Sequence, residues 1–421
     1  MKSYDAVIDL TINYIGLIIA AGSGIILNIL IIRLFGLEEL GVFNLSYAIF
    51  VLMSQITVFG VHLSCLRLCA LNPENYRYIL ASGLLVTGFI SSSMSLLIYV
   101  ASPLLSVLNV SDLEHGANYI CLALVFFSLN KVFSFTINGL SRMRLYALIG
   151  GFRAVSMLAF VVLLFNIESK KPLVSTFLFS EFSLFLMFMI YFLRDISSVS
   201  FNCRLKKSAI EHYNYGKRVV ISGISIELNA RVDVLVLSAF VSSSSVGLYS
   251  FVAMLIEGFY QLIVVVKNYI NPKIVKLYAS GEKEPLEKFI KKVVLIVTSS
   301  FSLMAALAYY LFPLMVDLFN LDPRLTTVSI IFLILIGFMA ALSGWLCLDQ
   351  LLAICGKPEV SSKMYFLMVL ANIFFNYLFI PIWGLKGAAF ATVLSWVIFT
   401  IMLNCSAIRF LKLNLVPFLG K

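Results

Sequence analysis

Charge is what this sequence has least of. Only 12% of its 421 residues are Asp, Glu, Lys or Arg, about half the share found in soluble domains. A water-soluble globule is excluded. Histidine is scarcer still, with three in the chain (His62, His115 and His212), too few for histidine-rich metal chemistry. The seven cysteines are an odd number and none forms a CxxC pair, so neither a zinc nor a disulfide framework is readable, and they read as small apolar residues within helices. The sequence has no phosphate-cradling GxxxxGK loop and no Ser/His/Asp constellation, so ATP hydrolysis and nucleophilic catalysis are not expected.

What fills the chain instead is apolar sequence, with 61% hydrophobic residues. A membrane-spanning helix needs ~20 mostly apolar residues, because the hydrocarbon layer is ~30 Å thick and the helix rises ~1.5 Å per residue. Apolar runs bounded by charge, Pro, Gly and Asn predict twelve spans, near 12–33, 42–63, 79–101, 117–138, 146–166, 174–193, 219–240, 247–268, 292–316, 327–350, 362–383 and 387–410. The first run is too long for the core of a cleaved signal and reads as a permanent span. The net charge of +10 is scattered between these runs, which argues against a nucleic-acid partner.

Basic residues set the orientation. The termini and even-numbered loops, with their span edges, carry 23 Lys and Arg; the odd-numbered loops carry five, and Lys131, Arg153 and Arg231 lie inside spans. Both termini are therefore expected in the cytoplasm. The longest connections, 194–218 and 269–291, fall on that side, and GEKEPLEKFIKK (281–292) reads as an amphipathic lead-in to the ninth span.

The two halves also resemble each other. LGVFNLSYAIF (40–50) parallels VGLYSFVAMLI (246–256), matching Gly41 with Gly247 and Phe43 with Tyr249, and Lys171, Ser180 and Arg194 parallel Lys386, Ser395 and Arg409 at a similar offset. Two six-span halves that both start inside predict a parallel repeat with a substrate path between them.

Several stretches carry a resemblance to a known family: IIRLFGLEELGVFNLSYAI (31–49), with its RxxGxEELGxF pattern, NARVDVLVLSAFVSSSSVGLYSFVAML (229–255), and LAICGKPEV followed by GLKGAAFATVLSW (352–360, 384–396). They resemble the polysaccharide transporters of the multidrug/oligosaccharidyl-lipid/polysaccharide (MOP) superfamily, above all the bacterial O-antigen flippases of Wzx type. The resemblance implies an all-α integral membrane protein of the bacterial cytoplasmic (inner) membrane, MATE-like, with two six-helix bundles (1–200 and 201–421) related by a pseudo-two-fold axis. It implies a lipid-linked oligosaccharide cargo, an O-antigen repeat unit on undecaprenyl diphosphate, moved by alternating access in contact with membrane lipid. A polysaccharide polymerase and a chain-length regulator are the implied partners, and no cofactor is implied. A small-molecule cation antiporter of the same superfamily is the alternative; a membrane glycan polymerase or ligase is disfavoured because no large outer loop is present.

Ionisable residues inside spans carry the site expectation, since each costs ~2.5–3.5 kcal/mol at the span centre on insertion scales. Lys131, Arg153 and Arg231 are the candidate contacts for an anionic diphosphate, which needs several donors. Lys131 shares a stripe with Ser128, Ser134 and Asn138 that reads as a wet face. Glu257, with Gln261 one turn on, and Asp233 are the candidates for proton or cation coupling. The remaining intramembrane acids are Glu181, Glu227 and Asp349. Glu227 stands four residues before Arg231, a favourable helical pair.

Overall fold

The computed structural model describes residues 22–101, 111–140, 142–167, 172–200 and 202–415. The N-terminal half of the first expected span, and the Lys170–Lys171 loop, lie outside them. The long elements are α1 (Gly22–Phe35), α2 (Leu37–Val58), α3 (Val61–Leu71), α4 (Tyr76–Ala101), α5 (Ser111–Gly139), α6 (Met143–Asn166), α7 (Ser175–Ser197), α8 (Cys203–Ser238), α9 (Ser243–Ala279) and α10 (Lys283–Leu318). A one-turn α11 (Arg324–Thr327) leads into α12 (Ser329–Leu346), α13 (Leu351–Ile354), α14 (Pro358–Trp383) and α15 (Leu385–Ser406). The described residues contain no strand. The protein is an all-α, multi-pass membrane protein.

Ten helices among the described residues are long and apolar enough to cross a bilayer, against twelve expected spans. Span one is described only as the short α1. Span seven is helical but forms the latter part of α8, where Glu227, Arg231 and Asp233 interrupt the apolar run. Span two stops earlier than 63: Phe59 and Gly60 adopt left-handed conformations (φ 51° and 68°), and the chain restarts as α3. Span eight runs on to Ala279 and span nine begins at Lys283, so the expected amphipathic lead-in is the first part of α10. These two helices of 37 and 36 residues are each about 55 Å long at ~1.5 Å per residue, and they outreach the ~30 Å hydrocarbon.

The chain divides into two compact units, Met1–Glu227 and Leu228–Lys421. The division falls inside α8, after the 200/201 boundary expected from the longest basic loop. In the first unit α5 is central, packing on α2, α3, α4 and α7, and its span is 67% buried. Phe133 of α5 stacks on Phe188 and Phe192 of α7 (5.1 and 5.5 Å between ring centres), beside buried Val61, Cys65 and Leu80. In the second unit α12 packs on α10 and α15, α14 on α15, and α9 on α12.

Several buried hydroxyls are accommodated by their own helices. Ser46, Ser54 and Ser134 donate to carbonyls three or four residues back (2.6–2.7 Å), the usual outlet for polar side chains where water is missing. Of the face expected to be wet beside Lys131, Ser128 and Ser134 are buried and Asn138 is half-buried, and Ser128 donates to the Leu124 carbonyl and lies 2.9 Å from Thr57 Oγ1.

The first part of α8 is clamped onto the first unit. Gly216 lies against the Phe59–Gly60 break, where a methyl on Gly216 would collide with the Phe59 carbonyl oxygen, and Phe59 stacks on Tyr213. One turn away His212, fully buried, places Nε2 3.0 Å from the Ile79 carbonyl and Nδ1 2.9 Å from Ser64 Oγ. A carbonyl can only accept, so Nε2 carries the proton and Nδ1 accepts from Ser64. Burial lowers the His212 pKa from 6.5 to about 4, with the Ile79 carbonyl opposing the shift.

The folded pKa thus lies below the unfolded one, so between pH 6.5 and 4 the unfolded chain binds the proton more readily. The His212 contribution to stability is complete above about pH 7 and falls by up to about 3 kcal/mol toward pH 4. The thermal midpoint of detergent-solubilised protein is expected to follow this curve, and His212→Gln should flatten it.

Candidate functional site

In the first unit the buried Glu181 on α7 forms the centre of a polar cluster. Arg153 of α6 reaches it with Nε 2.6 Å from Oε1 and Nη2 3.3 Å from Oε2. Asn130 of α5 donates from Nδ2 to Oε2 (2.9 Å) and to the Glu181 carbonyl (2.8 Å). Ser180 closes the α6–α7 contact by donating to the Arg153 carbonyl at 3.1 Å. The pairing offsets part of the desolvation cost of two charges through close guanidinium contact and a third donor, while Arg153 Nε and Asn130 Oδ1 have no hydrogen-bond partner among the described residues.

Lys131, one residue after Asn130, is held differently. Its ammonium sits 5.3 Å from the Phe127 ring centre and 5.7 Å from that of Phe135, and the Arg153 guanidinium lies 5.2 Å from the Phe127 ring as well. His62 meets the edge of Phe135 at 4.6 Å. Glu181 and Glu227 act on Lys131 electrostatically, yet among the described residues no carboxylate comes within salt-bridge distance of it. An ammonium over two aromatic faces is stabilised by ring quadrupoles and keeps its three donors for another acceptor.

The second unit holds two further centres. Asp233 on α8 accepts from Asn376 Nδ2 (2.9 Å) on Oδ1, and from Thr392 Oγ1 (2.5 Å) and the Tyr249 hydroxyl (3.2 Å) on Oδ2. Asn376 also donates to Asn372 Oδ1 at 2.7 Å, while its own Oδ1 is buried with no hydrogen-bond partner. All described donors to this carboxylate are neutral. The other centre is an ion pair: Lys267 Nζ of α9 lies 2.9 Å from Asp349 Oδ2, each side chain 7% exposed. The Tyr260 hydroxyl donates to the same oxygen (3.2 Å). Asp349 stands where α12 gives way to α13.

Of the five residues expected from sequence, Lys131 and Arg153 come together around Phe127. Asp233 forms its own centre in the other unit, and Arg231 is half-buried two residues before it. Glu257 is exposed on α9, and the residue one turn on that reaches a buried charge is Tyr260, facing Asp349. Asn372, Asn376, Thr392 and Lys267 were missed. The asparagine pair four apart in an apolar span was a readable signal, because each amide there needs a partner. Lys267, at a span edge, looked like one more orienting base.

The repeat also has a physical counterpart. In the first unit Asn44 of α2 donates to Asn28 of α1 (2.9 Å), and in the second Tyr249 of α9 donates to Asp233 of α8, each pair 16 residues apart. Each unit ties its first helix to its second at the same spacing. The first tie is uncharged and the second contains a carboxylate.

Long apolar helices with buried charge centres define a multi-pass membrane protein with a partly polar interior. A family model described as polysaccharide biosynthesis protein matches residues 8–276, and the chain belongs to that family. No curated protein matches it. Its fold is that of the MOP superfamily. A structure titled lipid II flippase MurJ in an inward closed conformation superposes with a TM-score of 0.75 at 14% identity, covering 94% of this chain and 87% of that one. An inward-facing MATE-family multidrug resistance transporter matches with 0.75 at 13%, covering 96% and 98%. A MOP superfamily transporter from Pyrococcus furiosus, its title noting reverse polarity of the binding pocket, matches with 0.61 at 14%, covering 95% of each chain. At these identities the likeness is one of fold.

Removing Arg153 alone strands Glu181 in the interior with only Asn130, a loss of about 3–5 kcal/mol for a broken buried pair. Arg153→Ala is expected to lower abundance and thermal midpoint strongly, and Arg153→Ala combined with Glu181→Ala much less, as measured by fluorescence size-exclusion chromatography after heating.

Proposed function

We propose that the protein is a flippase for a lipid-linked oligosaccharide, an O-antigen-type repeat unit on undecaprenyl diphosphate, working by alternating access in the bacterial inner membrane. The observation that carries this reading is the Lys131 ammonium, half-buried over the Phe127 and Phe135 rings with no salt-bridged carboxylate among the described residues. A sugar diphosphate cannot cross hydrocarbon unaided because its oxygens would lose water without gaining partners. A half-buried ammonium with unused donors supplies such a partner, and Arg153, against the same Phe127 ring, adds a guanidinium in the first unit, while Arg231 is the separate guanidinium candidate of the second. Family membership supports a role in polysaccharide biosynthesis, and the MurJ title names a lipid-linked cargo for a chain of the same fold.

Asp233 is the coupling centre in this reading. Its neutral surroundings and the unpartnered Asn376 Oδ1 offer oxygen ligands suited to a proton or a hard monovalent cation. Glu257 is assigned the lesser part of an exposed relay. The polymerase and chain-length regulator of the same process are the proposed partners.

Lys131→Ala should leave protein abundance near normal and lower surface polysaccharide about tenfold or more, the loss for one charge-assisted contact worth ~1.5–3 kcal/mol. Lys131→Arg should retain part of it. Full polysaccharide from Lys131→Ala, together with Asp233-dependent efflux of a lipophilic cation such as ethidium, would turn the assignment to a cation antiporter. The topology that goes with the flippase places reporters fused at 205 and 280 in the cytoplasm and at 112 and 322 outside. Finding 112 and 205 on one side would overturn it.

A further inference from the structure

At one end of the first unit the termini of α4, α6 and α7 converge on a set of arginines that the transport reading does not use. Arg142, exposed just before α6, donates from Nη1 to the Tyr191 hydroxyl of α7 (2.9 Å), and its guanidinium lies 6.0 Å from the Tyr76 ring centre. Arg77 lies against the same Tyr76 ring (5.8 Å) and pairs with Asp195 (3.0 Å). Arg204, exposed at the start of α8, covers the Tyr78 ring at 4.8 Å and donates to Asn75 Oδ1. Of the three guanidiniums, Arg77 alone is paired with a carboxylate among the described residues. Arg142 and Arg204 are each oriented by neutral partners and keep most of their five N–H donors free to face outward.

What adjoins these arginines is as telling as their charge. The spans of α4 and α6 are each only 17% buried, and large apolar side chains stand exposed within a few turns of the arginine ends: Leu85 on α4, Leu148 on α6 and Ile190 on α7. On a membrane helix such faces meet acyl chains, so the arginines stand at the level where the headgroups of those lipids lie. Tyrosine is the companion expected at that depth, with its ring in the apolar layer and its hydroxyl in the polar one.

We propose that Arg77, Arg142 and Arg204 form a binding site for the phosphate of an anionic phospholipid, whose chains lie along the exposed faces of α4, α6 and α7. A soluble phosphate would leave those apolar faces unused. A zwitterionic lipid would bring its own cation toward a cluster that is already cationic, whereas phosphatidylglycerol brings only the anion. The guanidinium fork donates to two phosphate oxygens at once, and the tyrosine stacking has already restricted the side chains. This goes beyond attraction of scattered bases to an anionic leaflet, because it depends on fork geometry at named positions.

The test is native mass spectrometry of the full chain released from nanodiscs containing equal phosphatidylglycerol and phosphatidylcholine. The wild type should retain phosphatidylglycerol about tenfold over phosphatidylcholine. Arg142→Gln with Arg204→Gln should abolish the preference, and Arg142→Lys with Arg204→Lys should keep only part of it, since charge survives and the fork does not. Arg324→Gln, at an exposed arginine of the second unit, should leave it unchanged. If the double glutamine variant is not monodisperse, Arg142→Gln alone carries the test, because it removes one bond to Tyr191 and leaves the α8 clamp intact. Equal retention of the two lipids, or a preference indifferent to Arg142, would overturn the site. So would Arg142-dependent binding of undecaprenyl diphosphate without binding of phosphatidylglycerol, which would assign the rim to the carrier lipid.

Discussion

Inside a bilayer each polar group must find its partner within the protein, because lipid supplies none. This constraint organises the molecule more than the hydrophobic effect does, since apolar side chains gain little by leaving lipid tails for one another. It explains why buried Ser46, Ser54 and Ser134 donate to their own helices and why Glu181 is gripped by Arg153 and Asn130. It also explains why Lys267 and Asp349 stand together where a helix breaks. Where a carboxylate is met by a cation and an amide, as at Glu181, the group is held in place. Where the rule is met in part, at Lys131 with its unused donors and at Asn376 with its lone acceptor oxygen, the protein has left capacity for something else.

The two units spend that capacity differently. The first holds cations near Phe127 and an amide pair, Asn28 with Asn44, at the tie between its opening helices. The second places Asp233 and Tyr249 at the same tie and surrounds the carboxylate with neutral donors. A duplicated scaffold with an uncharged tie in one half and an acidic one in the other separates the proposed tasks of binding an anionic headgroup and of coupling to a cation. The family assignment fits this division, and the fold supplies the paired scaffold on which it rests.

The division between the two units falls within the residues of α8. The first part of this helix is fastened by Gly216 against the Phe59–Gly60 break and by neutral His212 between Ser64 and Ile79, while its last part carries Asp233 into the second centre. A helix that begins in one unit and ends in the other cannot be assigned from the charge of the loop before it. For that reason the boundary read at residue 200 lies ahead of the division at Glu227.

Much was legible in the sequence because membrane insertion is a local, additive property. Length and hydropathy alone determined that the chain is all-helical and multi-pass, and the RxxGxEELGxF and GLYS stretches carried the family. The rare intramembrane charges, Lys131, Arg153 and Asp233, declared themselves by their cost. Partnership is not additive, and only the tertiary structure decided it. Whether Glu181 belongs to Arg153, whether Lys267 is an orienting base or half of a buried pair, and whether Asn376 and Thr392 meet Asp233 all depend on residues many positions apart. Their approach is set by how helices pack, and no count along the chain contains that information.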